Sequence, residues 1–464
     1  MKTSFSPYIK EKVVQSTSAK VILKEITRLS IPIMFMFFLQ LAYQLTDLFW
    51  AGRLGVDSVA GISLSLPILM FVTALGGGIA TAGTILVAQY KGQNNQKEIN
   101  KISAQVLLLA GVFALVVSLV GFFAAPELIR LMKTEENVLF EALAYIKISF
   151  TGTFFLFCFS VFQALMKGTG EVKLPLYISL VTVVLNFVLD PLLIFGYGII
   201  PTFGISGTAL ATTIAYIISS IVGITVLLKG KKGIKLNINE LKPDLPTIKK
   251  TFMLGYPASI ENSAGQLKMV ILIYLVTLFG TSSIAGYGTG VRIITFLSIP
   301  VFGLSMSATI LVGQYLGAGK ITDVHRTVKL AALTGFLLLS TIGLLIFLLA
   351  EQMIALFIPN KPEAIRIGAD FLKIASVAVG LGGIEHILLG SFRGAGNTFL
   401  VMSLSIFLLS AAMLPTAYIL SRHTGLGVDG IWLAFPITNF AAVIITMFLY
   451  KRGIKKNKII DSNY

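Results

Sequence analysis

Between Leu29 and Trp50 the chain reads LSIPIMFMFFLQLAYQLTDLFW. Wound as a helix, that almost wholly apolar run is as long as a bilayer core is thick. Eleven more runs follow, at 59–87, 102–125, 140–166, 174–196, 205–228, 252–279, 284–315, 328–349, 367–392, 399–420 and 428–450. In lipid each backbone N–H and C=O must be satisfied within its own segment or in a closed barrel. Runs of this length therefore predict helices. The expected fold is all-α and polytopic, with twelve transmembrane helices. Charged residues make up only 12% of the chain, about half the share usual in soluble proteins.

The basic residues follow the runs. They crowd before the first run (Lys2, Lys10, Lys12, Lys20, Lys24, Arg28), between the sixth and seventh (Lys229 to Lys250) and after the last (Lys451 to Lys458), and they recur in every even connection. The positive-inside rule places those connections and both termini in the cytoplasm; the expected location is a plasma (inner) membrane. The net charge of +16 is thus read as topology, and nucleic acid is not an expected partner. The lone cysteine, Cys158, excludes an intrachain disulfide or a cysteine-based metal cluster. Residues 1–20 show no signal-peptide pattern and read as a cytoplasmic tail.

The chain also repeats itself. Leu29-Ser-Ile-Pro32 pairs with Leu254-Gly-Tyr-Pro257, Gln89 with Gln314 inside TILVAQYKG and TILVGQYLG, Lys167-Gly-Thr-Gly170 with Arg393-Gly-Ala-Gly396, and Gly204-Ile-Ser-Gly207 with Gly427-Val-Asp-Gly430. The order is kept and the spacing stays within 223–226 residues, which marks a duplication. Six runs per half give both halves the same orientation, so the two six-helix bundles are expected to be parallel, related by a pseudo-two-fold axis along the membrane normal. The expected parts are a tail at 1–28, an N-lobe at 29–228, a basic inter-lobe loop at 229–250, a C-lobe at 251–450 and a basic tail at 451–464. Gly76 to Gly78 and Gly380 to Gly383 fit close helix packing or mobile backbone beside a pathway.

A carboxylate inside hydrocarbon costs about 2.5–3.5 kcal/mol on insertion scales. The first run carries one, Asp47, and the fifth carries Asp190. Each has a polar residue four positions earlier, Tyr43 and Asn186, on the same helix face. Thr208 opens the sixth run. Oxygen ligands of this kind suit a hard cation, so Na+ is expected at Asp47, Asn186, Asp190 and Thr208. Two neighbouring carboxyls can equally hold a proton. A structural salt bridge is the competing reading, but Lys147 is the one basic residue within these N-half runs. Pro32 removes a helix hydrogen bond and is the expected hinge. Met34, Phe37 and Gln40 are candidate cavity residues, since methionine and aromatic side chains adapt to varied ligands. The C-half holds Glu261, Lys268, Arg292, Lys373 and Glu385, which either pair internally or line a substrate cavity.

The segment TDLFWAGRLG around Asp47, the AQYKGQ and GQYLGA ends of the second and eighth runs, MKGTGEVKLP and NFVLDPL resemble the multidrug and toxic compound extrusion (MATE) transporters over nearly the whole chain. The pattern looks closest to the DinF-like branch. A NorM-like chain has an acid about two turns after the seventh-helix proline, where this one has Gly265. The resemblance implies that Tyr43, Asp47, Asn186, Asp190 and Thr208 form the N-lobe cation or proton pocket. It also implies a monomer that exports amphipathic, cationic compounds in exchange for H+ or Na+, with no cofactor and no enzyme activity.

Two other functions are compatible with parts of the sequence. A lipid or lipid-linked oligosaccharide flippase of the same superfamily would use Lys268 and Arg292 toward phosphate. An intramembrane aspartyl protease would use Asp47 and Asp190, but Val188 and Leu189 before Asp190 do not make the GxGD segment such enzymes carry. No GxxxxGK[ST] loop is present for an ATP-driven pump.

Overall fold

The structure is a computed structural model and describes residues 17–455, except 133 and 231. Six helices form the first half: α1 (Ala19–Ala51), α2 (Val56–Gly92), α3 (Gln96–Leu131), α4 (Glu136–Thr169), α5 (Lys173–Phe195) and α6 (Ile205–Lys229). A short 3-10 turn at Ile238–Leu241 lies in the connection to the second half. That half holds α7 (Leu245–Thr277), α8 (Thr281–Leu297), α9 (Ile299–Gly317), α10 (Ile321–Phe357), α11 (Pro362–Gly394), α12 (Thr398–Leu404), α13 (Met413–Arg422) and α14 (Val428–Lys455). Pairing α8 with α9, and α12 with α13, gives twelve spans in two bundles.

Several helices outrun their apolar segments. The 37 residues of α2 make a rod of about 55 Å at 1.5 Å per residue, well beyond an apolar core of about 30 Å. The lobe boundaries shift accordingly. The first helix starts at Ala19, with the Ser18 hydroxyl accepting from the Val21 N–H at 3.4 Å, so ten residues of the expected tail are helical. The inter-lobe connection shortens to 230–244, because the Asp244 side chain caps α7 by accepting from the Thr247 N–H. The last helix reaches Lys455. The residues expected as tail at 1–16 and 456–464 lie outside the described residues.

Two expected single spans are interrupted. The eighth breaks at Ser298, because Pro300 in the first turn of α9 has no N–H to continue the ladder of α8. The eleventh widens into a π-helical stretch at Ser405–Ala412. By contrast α1 runs unbroken through Pro32, and α7 through Pro257.

Each lobe has its own apolar core. One gathers Ile79, Leu86, Val106, Phe162 and Leu165, and the other gathers Tyr287, Ile346, Phe371 and Trp432. The division at 229–250 does not hold for α1 and α7. The first half of α1 (Ile22, Ile26, Leu29, Ile33) packs on Leu304, Ala308 and Leu311 of α9 and Ile387 of α11. In return Leu254 of α7 joins the N-lobe core. The farther halves of both helices return to their own lobes: Tyr43 and Asp47 meet α6, and Leu272 and Val276 join the C-lobe core. Among the described residues, ten helical segments are long and apolar enough to span by length and composition alone, and the two crossing helices and the short α8 fall outside that set.

The repeated motifs have repeated roles. Gly204 and Gly427 both sit at positive φ, 57° and 56°, ahead of α6 and α14. Three residues on, a Cβ at Gly207 would lie 2.6 Å from the Leu193 backbone, and Gly430 meets Leu420 in the same way. Glycine is required at both places because the helix pairs touch backbone to backbone.

Candidate cation site and cavity in the N-lobe

Three polar stripes, each with a four-residue spacing, converge inside the N-lobe. Tyr43 and Asp47 come from α1, Thr182, Asn186 and Asp190 from α5, and Thr208, Thr212 and Tyr216 from α6. Asn186, Asp190 and Thr208 are fully buried and Asp47 nearly so. Thr212 ties the stripes together. Its hydroxyl donates to Asp47 Oδ2 at 3.3 Å and accepts from Asn186 Nδ2 at 3.4 Å, while its carbonyl accepts from the Tyr43 hydroxyl at 3.4 Å. Asn186 Nδ2 also donates to Asp190 Oδ1 at 3.3 Å, and Tyr43 stacks on Tyr216 with centroids 5.5 Å apart. Farther along, the Thr182 and Ser219 hydroxyls bond at 2.6 Å.

The acceptors left over define the chemistry. Asp47 Oδ1, Asp190 Oδ2, Asn186 Oδ1 and Thr208 Oγ1 are buried without a hydrogen-bond partner. They belong to the four residues expected to ligate Na+. Burying unsatisfied oxygens costs roughly 1–3 kcal/mol each, more when charged, and a proton or a hard cation offsets that cost. Among the described residues neither aspartate has a basic partner. Lys147, the candidate for one, is exposed on α4.

Thr212 and Tyr216 are the residues that sequence reasoning missed. Their signal is the four-residue spacing from Thr208 along α6.

Beside this site lies a cavity of about 200 Å³, whose walls include Met36, Phe37, Gln40, Tyr43, Gln163 and Lys167. Tyr43 belongs to both. Of the candidate cavity residues, Phe37 and Gln40 line it, whereas Met34 packs against Gly303 of α9. Met36 takes the expected place of Met34, which stands on the side of α1 that meets Gly303 of α9.

The C-half charges gather elsewhere. Glu261 pairs with Arg393 and accepts from the Ser405 hydroxyl at 3.0 Å. Lys268, Arg393 and Glu261 all lie within electrostatic reach of the buried Glu385. Lys373 bonds Glu351 at 2.9 Å. Arg292 is exposed on α8, and none of these side chains lines the N-lobe cavity.

Two parallel helical bundles with buried carboxyls and a cavity between helices are the build of a multi-pass membrane transporter. The MatE family model matches residues 32–192 and 257–419, beginning at the two repeat-related prolines, and the chain belongs to that family of transporters. It is 27% identical over 464 residues to the Bacillus subtilis "Probable multidrug resistance protein YoeA", covering 99% of each chain. It is 24% identical to a Shewanella oneidensis protein named "FAD transporter", covering 89% of this chain and 90% of that one. A crystal structure of a MATE protein in its bent conformation superposes with a TM-score of 0.88 at 24% identity, covering 96% of this chain and 99% of that one.

Proposed function

We propose that this protein is a secondary antiporter that exports amphipathic compounds in exchange for H+ or Na+. The observation that carries the reading is the set of four orphaned acceptor oxygens around Asp47 and Asp190. A proton bound there neutralises one of the two carboxylates and bridges it to its neighbour, whereas Na+ offsets one of the two charges and is large enough to be ligated by several of these oxygens at once. Tyr43 touches both the ion site and the cavity, so occupancy of one alters the wall of the other. An ion drives transport only if it binds the two conformations unequally. The supply of that difference falls to α1, which is anchored in the C-lobe at one end and carries the site at the other, with Pro32 as the proposed hinge.

The names of the relatives support export of drug-like or other organic solutes. We further propose a monomer of the DinF-like type in the cytoplasmic membrane, with the basic connections and both termini inside. The flippase reading would rest on Lys268 and Arg292, and neither lines this cavity.

The test is efflux from proteoliposomes under Na+ and pH gradients imposed separately. Efflux driven by one gradient is expected, and a response to neither overturns the reading.

A further inference from the structure

Lys167 lies in the last turn of α4, and its side chain forms part of the cavity wall. Among the described residues no acidic side chain lines that cavity, and its other polar lining groups are neutral. Gln163 Nε2 donates to Ser179 at 2.8 Å, and Thr182 is held by Ser219. The nearest acid in sequence, Glu171, is taken up by Lys232 at 3.6 Å and by the Lys173 and Leu174 N–H groups. Among the described residues Lys167 has no hydrogen-bonding or ionic partner.

The duplication shows what is missing. The repeat mate of Lys167 is Arg393, and Arg393 is neutralised by Glu261. Glu261 stands four residues after Pro257. Four residues after Pro32 stands Met36, which lines the cavity with Lys167. One lobe therefore carries its own counter-charge, and the other has an apolar wall in its place. A half-buried ammonium facing such a wall is stabilised by an anion that arrives from outside.

We infer that the N-lobe cavity takes the oxyanion head, carboxylate or phosphate, of an organic anion, with Lys167 as the residue that selects it. This rests on the cavity being the substrate cavity of the proposed exporter. Its volume is below the roughly 300–1,000 Å³ of whole-ligand pockets, so it holds a head group while the rest of the molecule lies outside. Met36 and Phe37 cover the first apolar atoms behind the head, and Gln40 and Gln163 can hydrogen-bond to it.

The test is equilibrium binding to the detergent-purified full chain, without any gradient, so that it is independent of ion coupling. Two fluorescent pairs serve: 7-diethylaminocoumarin-3-carboxylic acid against its ethyl ester, and 4-methylumbelliferyl phosphate against 4-methylumbelliferone. At least one acid is expected to bind about tenfold more tightly than its neutral counterpart, the size of a charge-assisted hydrogen bond. Lys167→Gln should erase that preference while keeping affinity for the neutral probe, which also reports that the variant is folded. Lys167→Arg should keep the preference. Met36→Glu, which recreates the C-lobe pairing, should erase it with Lys167 still present. The proposal is overturned if neither acid is preferred, if Lys167→Gln leaves the preference in place, or if it weakens acid and neutral probe alike. Gradient-driven efflux that persists alongside any of these results leaves the antiport reading standing.

Discussion

Gln89 Nε2 donates to the Gly394 carbonyl at 3.2 Å, and its repeat mate Gln314 donates to the Gly168 carbonyl at 3.0 Å. The two bonds are the same interaction made twice, each reaching from one lobe into the other. Gly92 and Gly317 lie beside them, each against the carbonyl of the opposite glutamine. Among the described residues, the hydrogen bonds and ring contacts between lobes lie no farther from this basic end than mid-helix, as with Phe37 and Phe302 at 5.8 Å. The polar and aromatic contacts between the lobes are thus gathered toward one end, where the two glutamines clasp the lobes together.

The clasp should set the balance between the two openings. Each bond contributes about 1 kcal/mol, so Gln89→Ala with Gln314→Ala should shift the equilibrium by about 2 kcal/mol, roughly thirtyfold, toward opening at the basic end. Spin labels on cysteines replacing Lys97 and Thr322, in a Cys158→Ala background, would report it as a longer-distance population. An unchanged distance distribution argues against a clasp.

Asp47→Asn and Asp190→Asn should each abolish fluoroquinolone efflux at undiminished membrane abundance. The double variant should be no worse than either single one, because groups sharing one site do not act additively. Efflux assays on intact cells, with immunoblots of the membrane fraction, decide this.

Thr212 holds Asp47 and Asn186 in register. Thr212→Val should weaken the coupling ion about tenfold or more, whereas Thr212→Ser keeps the hydroxyl and should stay near wild type. The readout is the ion concentration giving half-maximal efflux.

The α5–α6 pair closes over Gly207. Gly207→Ala should cost about 1–3 kcal/mol, as overpacking does, and lower the unfolding temperature in detergent. Gly265→Ala, where nothing lies within 4 Å of the added carbon, is the control and should change little.

Outside the membrane, Asp244 pins the inter-lobe connection. The Thr247 hydroxyl, and then Lys101 at 2.9 Å, hold its carboxyl below the usual carboxylate range. A carboxyl depressed in the folded state contributes fully above its unfolded value of about 3.9 and loses that contribution as pH falls through the folded value. Pepsin cleavage within 230–244 should therefore rise only below about pH 4, and Asp244→Asn should remove the dependence.

Much of this protein is written in patterns confined to single helices. Run length pointed to the spans, and the 225-residue echo pointed to two bundles. Four-residue spacing put Tyr43 with Asp47 and Asn186 with Asp190. Such features rest on helix geometry and the thickness of a bilayer, which act on each segment separately. Which faces meet is a different matter. In lipid the outward face of a helix is as apolar as the inward one, so periodicity does not say which side is inside. Tertiary packing alone therefore set Thr212 between Asp47 and Asn186 and sent Met34 to α9 and Met36 to the cavity. It also crossed α1 and α7 into opposite lobes. Lys167 shows the division most directly: in sequence it reads as one more basic residue of a connection, and only the extra turn of α4 carries it to a cavity that has no charge to answer it.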